Sequence, residues 1–236
     1  SVMWVNPEAG LRLPVEEVVS AVRERGGLVH SDAAQAVGKV PVSVADVPVD
    51  LLSATGHKIN GPKGTGILFV REGTPLHPLL HGGGQERGLR PGTEDVAGAV
   101  GFAAALRLAV EAREERATRW AAWRADLESS LLARLPGARV NSADGARAPH
   151  VSSVGLPVPD GAALLMALDL EGIAASGGSA CHSGAEAASH VIAALYGEED
   201  ELATVRFSFG LGTTEADVRR AAAVVAELVG RLAEAA

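Results

Sequence analysis

Residues 51–58 read Leu51-Leu-Ser-Ala-Thr-Gly-His-Lys58: an apolar run that breaks into a polar loop ending on a lysine. Leu51–Ala54 reads as a strand and Thr55–Lys58 as the loop at its carboxyl end. The same arrangement recurs upstream, where Leu28–His30 reads as a strand ending at Ser31-Asp32. Before it, Pro14 to Arg25 places Val15, Val18, Val19 and Val22 on one face, which predicts a helix. Pro14 suits its first turn and Gly26-Gly27 its end. Val2–Val5 reads as the first strand and Gly66–Val70 as the one after the lysine loop. Strand, helix and strand at this spacing predict an α/β layer with a mostly parallel sheet.

Residues 81–93 form a glycine-rich loop, and a helical stretch follows from Val96 to Leu135, stopped by Pro136-Gly137. Val110, Trp120, Trp123, Leu127 and Leu131 set its period, and its centre, Glu111 to Arg119, is strongly charged, as in a helix crossing between lobes. The remainder predicts a smaller α+β domain, with strands at Val151–Leu156, Ile173–Ser176 and Val205–Phe209 and a helix over Gly161–Leu170. A last helix starts after Thr214, where Asp217 completes a capping box. The domains are thus 1–110, part of a large domain, and 111–236, a small C-terminal domain.

Composition narrows the function classes. Hydrophobic residues are 47% and charged residues 21% of 236, as in ordinary globular proteins, which argues against disorder. A net charge of −8 with no basic stripe argues against nucleic acid as a partner. The longest uncharged apolar run, Val96 to Leu106, is about half of the ~20 residues a membrane helix needs, so no membrane association is expected. One cysteine cannot form an internal disulfide, and no secretory leader is expected, so a cytoplasmic protein is predicted. Of 21 basic residues only Lys39, Lys58 and Lys63 are lysine, and all three fall within one short window.

Ligands of open α/β sheets gather at the carboxyl ends of strands. Asp32, Gln35, Thr55, His57 and Lys58 all fall there: an acid, an amide, a hydroxyl, an imidazole and an amine. That set suits pyridoxal phosphate. A lysine forms a Schiff base with the aldehyde, and a carboxylate keeps the pyridine nitrogen protonated. The plainer alternative is a surface lysine and a turn-capping aspartate. Cys181 lies among small and polar residues, Ser176-Gly-Gly-Ser-Ala-Cys181-His-Ser-Gly184, which suits a reactive thiol, although most lone cysteines are buried small hydrophobes. Arg206, flanked by apolar strand residues, needs an anionic partner. A substrate carboxylate or, more commonly, an internal Asp or Glu supplies it. The seven histidines predict no metal site: His77 and His81 are four apart, but Pro75 and Pro78 argue against the helix that would align them.

Taken together, these motifs resemble the cysteine desulfurases of NifS/IscS type, members of the class V aminotransferase fold. Ser53 to Gly64 is similar to their cofactor-lysine motif, and His30-Ser-Asp-Ala-Ala-Gln35 to their Asp-x-x-Gln segment. His81 to Thr93 resembles their glycine-rich loop, Ser176 to Cys181 their catalytic-cysteine motif, and Arg206-Phe-Ser208 their carboxylate-binding strand. The resemblance implies a PLP-dependent transferase (aspartate aminotransferase-like) fold. It gives Lys58 the cofactor linkage and the substrate's α-proton, Asp32 the pyridinium nitrogen, Gln35 the ring hydroxyl, and Thr55 and His57 the phosphate. Thr93 would reach the phosphate of a partner subunit's cofactor, which implies a homodimer. Arg206 would clamp the carboxylate of L-cysteine, and Cys181 would take its sulfur as a persulfide, releasing L-alanine. The sulfur would pass to an acceptor protein, typically an iron–sulfur scaffold.

Two departures stand out. Pro7 in Asn6-Pro7-Glu8 stands where relatives carry a cofactor-contacting asparagine, and Pro91 stands where serine is usual. The family is also longer at its N-terminus, so this chain is expected to be a fragment, a truncated gene product or half of a split protein, with weak or no retention of the cofactor by itself. The alternatives are a selenocysteine lyase or related class V PLP lyase, and a truncated non-catalytic interaction module.

Overall fold

The computed structural model describes residues 1–178 and 189–234. They form two compact units. The first contains Ser1–Val5 and Leu13–Arg113; the second contains Asn6–Arg12 and the described residues from Glu114 on.

The first unit is built on a four-stranded sheet of β1 (Val2–Met3), β2 (His30–Asp32), β3 (Leu51–Thr55) and β4 (Gly66–Val70), in that spatial order. The first three are parallel and β4 closes the edge antiparallel, with Asp32 opposite Ser53 and Thr55 opposite Gly66. The expected strand Val2–Val5 is only two residues long. Trp4 adds one backbone bond to the Asp32 carbonyl at 2.8 Å, and Val5 precedes a turn that folds with the second unit. Helix α1 (Val15–Arg23) buries Val15 and Val19, the face its valines predicted. Gly26 ends it at φ +69°, a left-handed conformation that glycine adopts at no steric cost.

The helical stretch is two helices rather than one, α2 (Val96–Glu111) and α3 (Arg113–Arg134), separated at Ala112 (φ −90°, ψ 3°). No glycine or proline marks the break, so periodicity runs through it unseen. α2 belongs to the first unit and carries Gly98, Gly101, Ala105 and Ala109 at three- and four-residue steps, a small-residue strip on one face. A Cβ on Gly101 would lie 2.6 Å from Pro62 Cγ, so the backbones approach as closely as side chains allow.

The second unit packs α3, α4 (Gly161–Leu170) and α6 (Glu215–Glu234) with an antiparallel sheet of β5 (Arg139–Val140), β6 (Val151–Leu156) and β7 (Ala203–Ser208). β6 is central and buried along its length. Leu127, Leu131, Val154, Leu164, Leu168, Val205 and Val225 form the core around it. The capping box is present: Thr214 N donates to Asp217 Oδ2 at 2.9 Å and Asp217 N to Thr214 Oγ1 at 3.2 Å. The strand expected at Ile173–Ser176 is absent. Only Ser176 pairs, with Arg206, and Gly177-Gly178 then turns the chain, with Gly178 at φ +138°. A short helix, α5 (His190–Tyr196), starts on the Ser189 hydroxyl.

Glu128, on the charged helix α3, is buried. Arg147 donates to both its carboxylate oxygens (2.7 and 3.0 Å), and Ser152 donates a third bond at 2.9 Å. Removing one member of a buried pair leaves an uncompensated charge. Glu128→Ala is therefore expected to destabilise the fold by about 3 kcal/mol, read as a lower urea midpoint at unchanged slope.

Candidate active site

β2 and β3 are parallel neighbours, so their carboxyl ends lie side by side. Asp32 ends β2. Its Oδ1 accepts the Ala34 amide at 2.9 Å, which makes it the turn residue the plainer reading expected, while Oδ2 retains lone pairs for a ligand. Thr55 ends β3, and a single 3-10 turn, Gly56–Ile59, presents His57 and Lys58 to solvent. Asn60 closes the turn in the left-handed region (φ 62°), and the Gly61 amide returns to the Gly56 carbonyl at 2.9 Å. Gly56 is required there: a Cβ would lie 2.4 Å from Thr65 Oγ1 and 3.0 Å from Phe102 of α2. The lysine turn thus sits against the small-residue strip, and rigid backbone sets the position of the amine. Thr55 Oγ1 and His57 Nδ1 are 2.8 Å apart, a hydroxyl and an imidazole joined at the strand's end.

Gln35 lies on the turn that follows β2. Lys39 Nζ donates to its Oε1 at 2.8 Å. Gly38, at φ +71°, holds this turn close: a Cβ there would lie 2.7 Å from Ala109 and 3.3 Å from Ile59, the residue after Lys58. Burial, and then the charge of Lys58, lower the Lys39 pKa to about 8. Neither Lys39 nor this packing was singled out as functional from sequence. The signal was the small-residue period of α2 and the clustering of lysines in an arginine-rich chain. Thr93 is exposed in the loop before Asp95, the N-cap of α2.

Arg206 is on β7 in the second unit, opposite Ser153. Its Nη1 donates to the Pro7 carbonyl at 2.9 Å, and its buried Nε has no hydrogen-bond partner among the described residues. Burial lowers the guanidinium pKa and the Glu8 carboxylate raises it; an arginine stays cationic either way. Glu8 is itself buried and accepts the Ser189 hydroxyl. Asn6 Oδ1 accepts the amides of Glu8 and Ala9, both at 2.9 Å, so its side chain shapes the turn. The sequence reading missed Glu8 and the Pro7 carbonyl; Asn-Pro as a turn signal could have found the loop. Cys181 lies outside the described residues. Among the described residues no cluster of His, Cys, Asp or Glu has the makings of a metal site, and no helix is long and apolar enough to cross a membrane.

The first unit therefore offers an accessible amine, a carboxylate oxygen, an amide N–H donor, a hydroxyl and an imidazole. These fit pyridoxal phosphate: amine to aldehyde, carboxylate to pyridinium, amide to ring oxygen, hydroxyl and imidazole to phosphate.

Residues 1–221 match the family described as Aminotransferase class-V. The chain is 42% identical over 235 residues to a cysteine desulfurase of Gluconacetobacter diazotrophicus, covering 99% of this chain and 59% of that protein. It is 42% identical to the putative cysteine desulfurase IscS 1 of Bacillus subtilis, covering 98% and 62%. A solved NifS-like protein superposes with a TM-score of 0.87 at 36% identity, covering 98% of this chain and 60% of that one. The chain thus spans about three fifths of the length of the relatives it matches.

Proposed function

The chain belongs to the aminotransferase class-V family, and from that premise we propose that it forms the greater part of a pyridoxal-phosphate-dependent cysteine desulfurase. The observation that carries this reading is Lys58, exposed on a rigid turn after β3, beside a parallel strand that ends on Asp32 with one carboxylate oxygen uncommitted. The naming of its relatives as cysteine desulfurases supports the choice of L-cysteine as substrate.

When bound, the cofactor supplies an electron sink for charge that develops at the substrate's α-carbon. Lys58 anchors its aldehyde and moves the α-proton. Asp32 holds the ring nitrogen protonated, Gln35 donates to the ring oxygen, and Thr55 and His57 hold the phosphate. Thr93 serves the phosphate of a partner subunit, so the active unit is a homodimer. The Arg206 guanidinium takes the substrate carboxylate, and its buried Nε is a donor available for that purpose. The Cys181 thiolate attacks the substrate sulfur: a sulfur–sulfur bond forms as the carbon–sulfur bond breaks, the electron pair of that bond stays on the carbon side, and a proton taken there gives L-alanine. The persulfide passes its outer sulfur to an acceptor protein of the iron–sulfur scaffold kind, in the cytoplasm. Residues 1–110 serve the cofactor and 111–236 carry the thiol.

The test is product analysis. The full gene product, loaded with pyridoxal phosphate and given L-cysteine and a thiol reductant, is expected to release alanine and sulfide in equal amounts. Pyruvate and ammonia in place of alanine would overturn the reading.

A further inference from the structure

The proposed site uses Lys58 and Gln35 but leaves Lys39 unexplained, although Lys39 donates a hydrogen bond to Gln35. Its ammonium donates to Gln35 Oε1 at 2.8 Å. The turn that carries it is packed through Gly38 against Ala109 of α2 and against Ile59, next to Lys58. An ammonium has three donors and no acceptor, so only the carbonyl end of the amide can face it. The Gln35 amide is thereby fixed in one of its two orientations, with its NH2 end left to donate elsewhere.

We propose that Lys39 is a positioning residue: it locks Gln35 with its NH2 turned to the cofactor's ring oxygen. This deepens the desulfurase reading and rests on it for the identity of the cofactor. Taking an ammonium out of water is costly unless it is paired, and here Gln35 Oε1 pairs it, on a turn whose backbone admits only glycine at residue 38 (φ +71°). Lys58 is the charged group that acts on Lys39, the α2 neighbour Ala109 and the amide of Gln35 being neutral.

Two measurements keep the pairing and the functional reading separable. First, without cofactor, the lysines are 13C-dimethylated and titrated individually by NMR, with lysine-to-arginine variants for assignment. Lys39 is expected to titrate near 8 and to move up in Lys58→Met. A Lys39 that titrates in the ordinary lysine range, or is indifferent to Lys58→Met, overturns the proposal whatever the enzyme does. Second, with cofactor, the absorbance maximum of the bound chromophore is followed at one pH. Lys39→Met is expected to shift it by releasing Gln35, Lys39→Arg to restore it by keeping the donor, and Lys39→Gln, whose own amide can turn either way, not to. An unchanged maximum in a folded Lys39→Met protein overturns the proposal, whereas a wild-type protein that takes up no cofactor overturns the desulfurase reading.

Discussion

Lys58→Ala is expected to lower alanine formation from L-cysteine by at least about 10³-fold, because it removes the anchor and the proton carrier together, and positioned proton transfer alone contributes about 10²–10⁴-fold. The loss should be local. Lys58 is exposed, and its turn is shaped by backbone: the Gly61-to-Gly56 hydrogen bond, the left-handed Asn60 and the close packing of Gly56 on Phe102. Thermal unfolding of the variant should therefore match wild type. Lys58→Arg separates charge from chemistry, since a guanidinium keeps the cation but forms no stable linkage to the aldehyde. It is expected to be as inactive as alanine. The direct measurement is borohydride reduction of the loaded protein followed by peptide mass analysis: the cofactor mass should sit on Lys58 in wild type and be absent from both variants. Activity within tenfold of wild type in Lys58→Ala would remove the amine from the mechanism.

The residues around that lysine were legible in sequence because their signals are local. An apolar run that ends in polar residues marks β3 and its loop, and Thr214 with Asp217 marks a cap, and both stand in the structure. What was hidden depends on pairing at a distance. Glu128 looks like one more surface charge on α3 until Arg147 and Ser152 close on it. The break at Ala112 carries no helix-breaking residue, and the strand expected at Ile173–Ser176 is reduced to one bridge by the glycines that follow. The apolar strand around Arg206 predicts an anionic partner. The structure gives it a backbone carbonyl and a nearby carboxylate, Pro7 and Glu8, from the far end of the chain. Asn-Pro-Glu signals a lost cofactor contact in sequence, whereas its turn geometry, with Asn6 Oδ1 accepting the amides of Glu8 and Ala9, is visible only in the structure.

The second large effect concerns the thiol. Cys181→Ala is expected to leave cofactor uptake and its absorbance unchanged while alanine formation from L-cysteine falls to background. These 236 residues hold a single cysteine, so no neighbouring thiol among them can take over. Serine is not a substitute either: its hydroxyl is far less nucleophilic and makes no stable bond to sulfur corresponding to a persulfide, so Cys181→Ser should behave like alanine. Cyanide treatment after exposure to L-cysteine measures the intermediate directly, since cyanide removes the outer sulfur of a persulfide as thiocyanate. Wild type is expected to yield up to one equivalent per chain and both variants none. The same pair of variants decides between the two reaction types open to this fold. A lyase that expels sulfide without a protein thiol instead forms pyruvate and ammonia, at the same rate in Cys181→Ala, and leaves no cyanide-labile sulfur on the protein. In a desulfurase the substrate's carbon–sulfur bond breaks only as the Cys181 sulfur takes the departing atom, so alanine and thiocyanate are lost together.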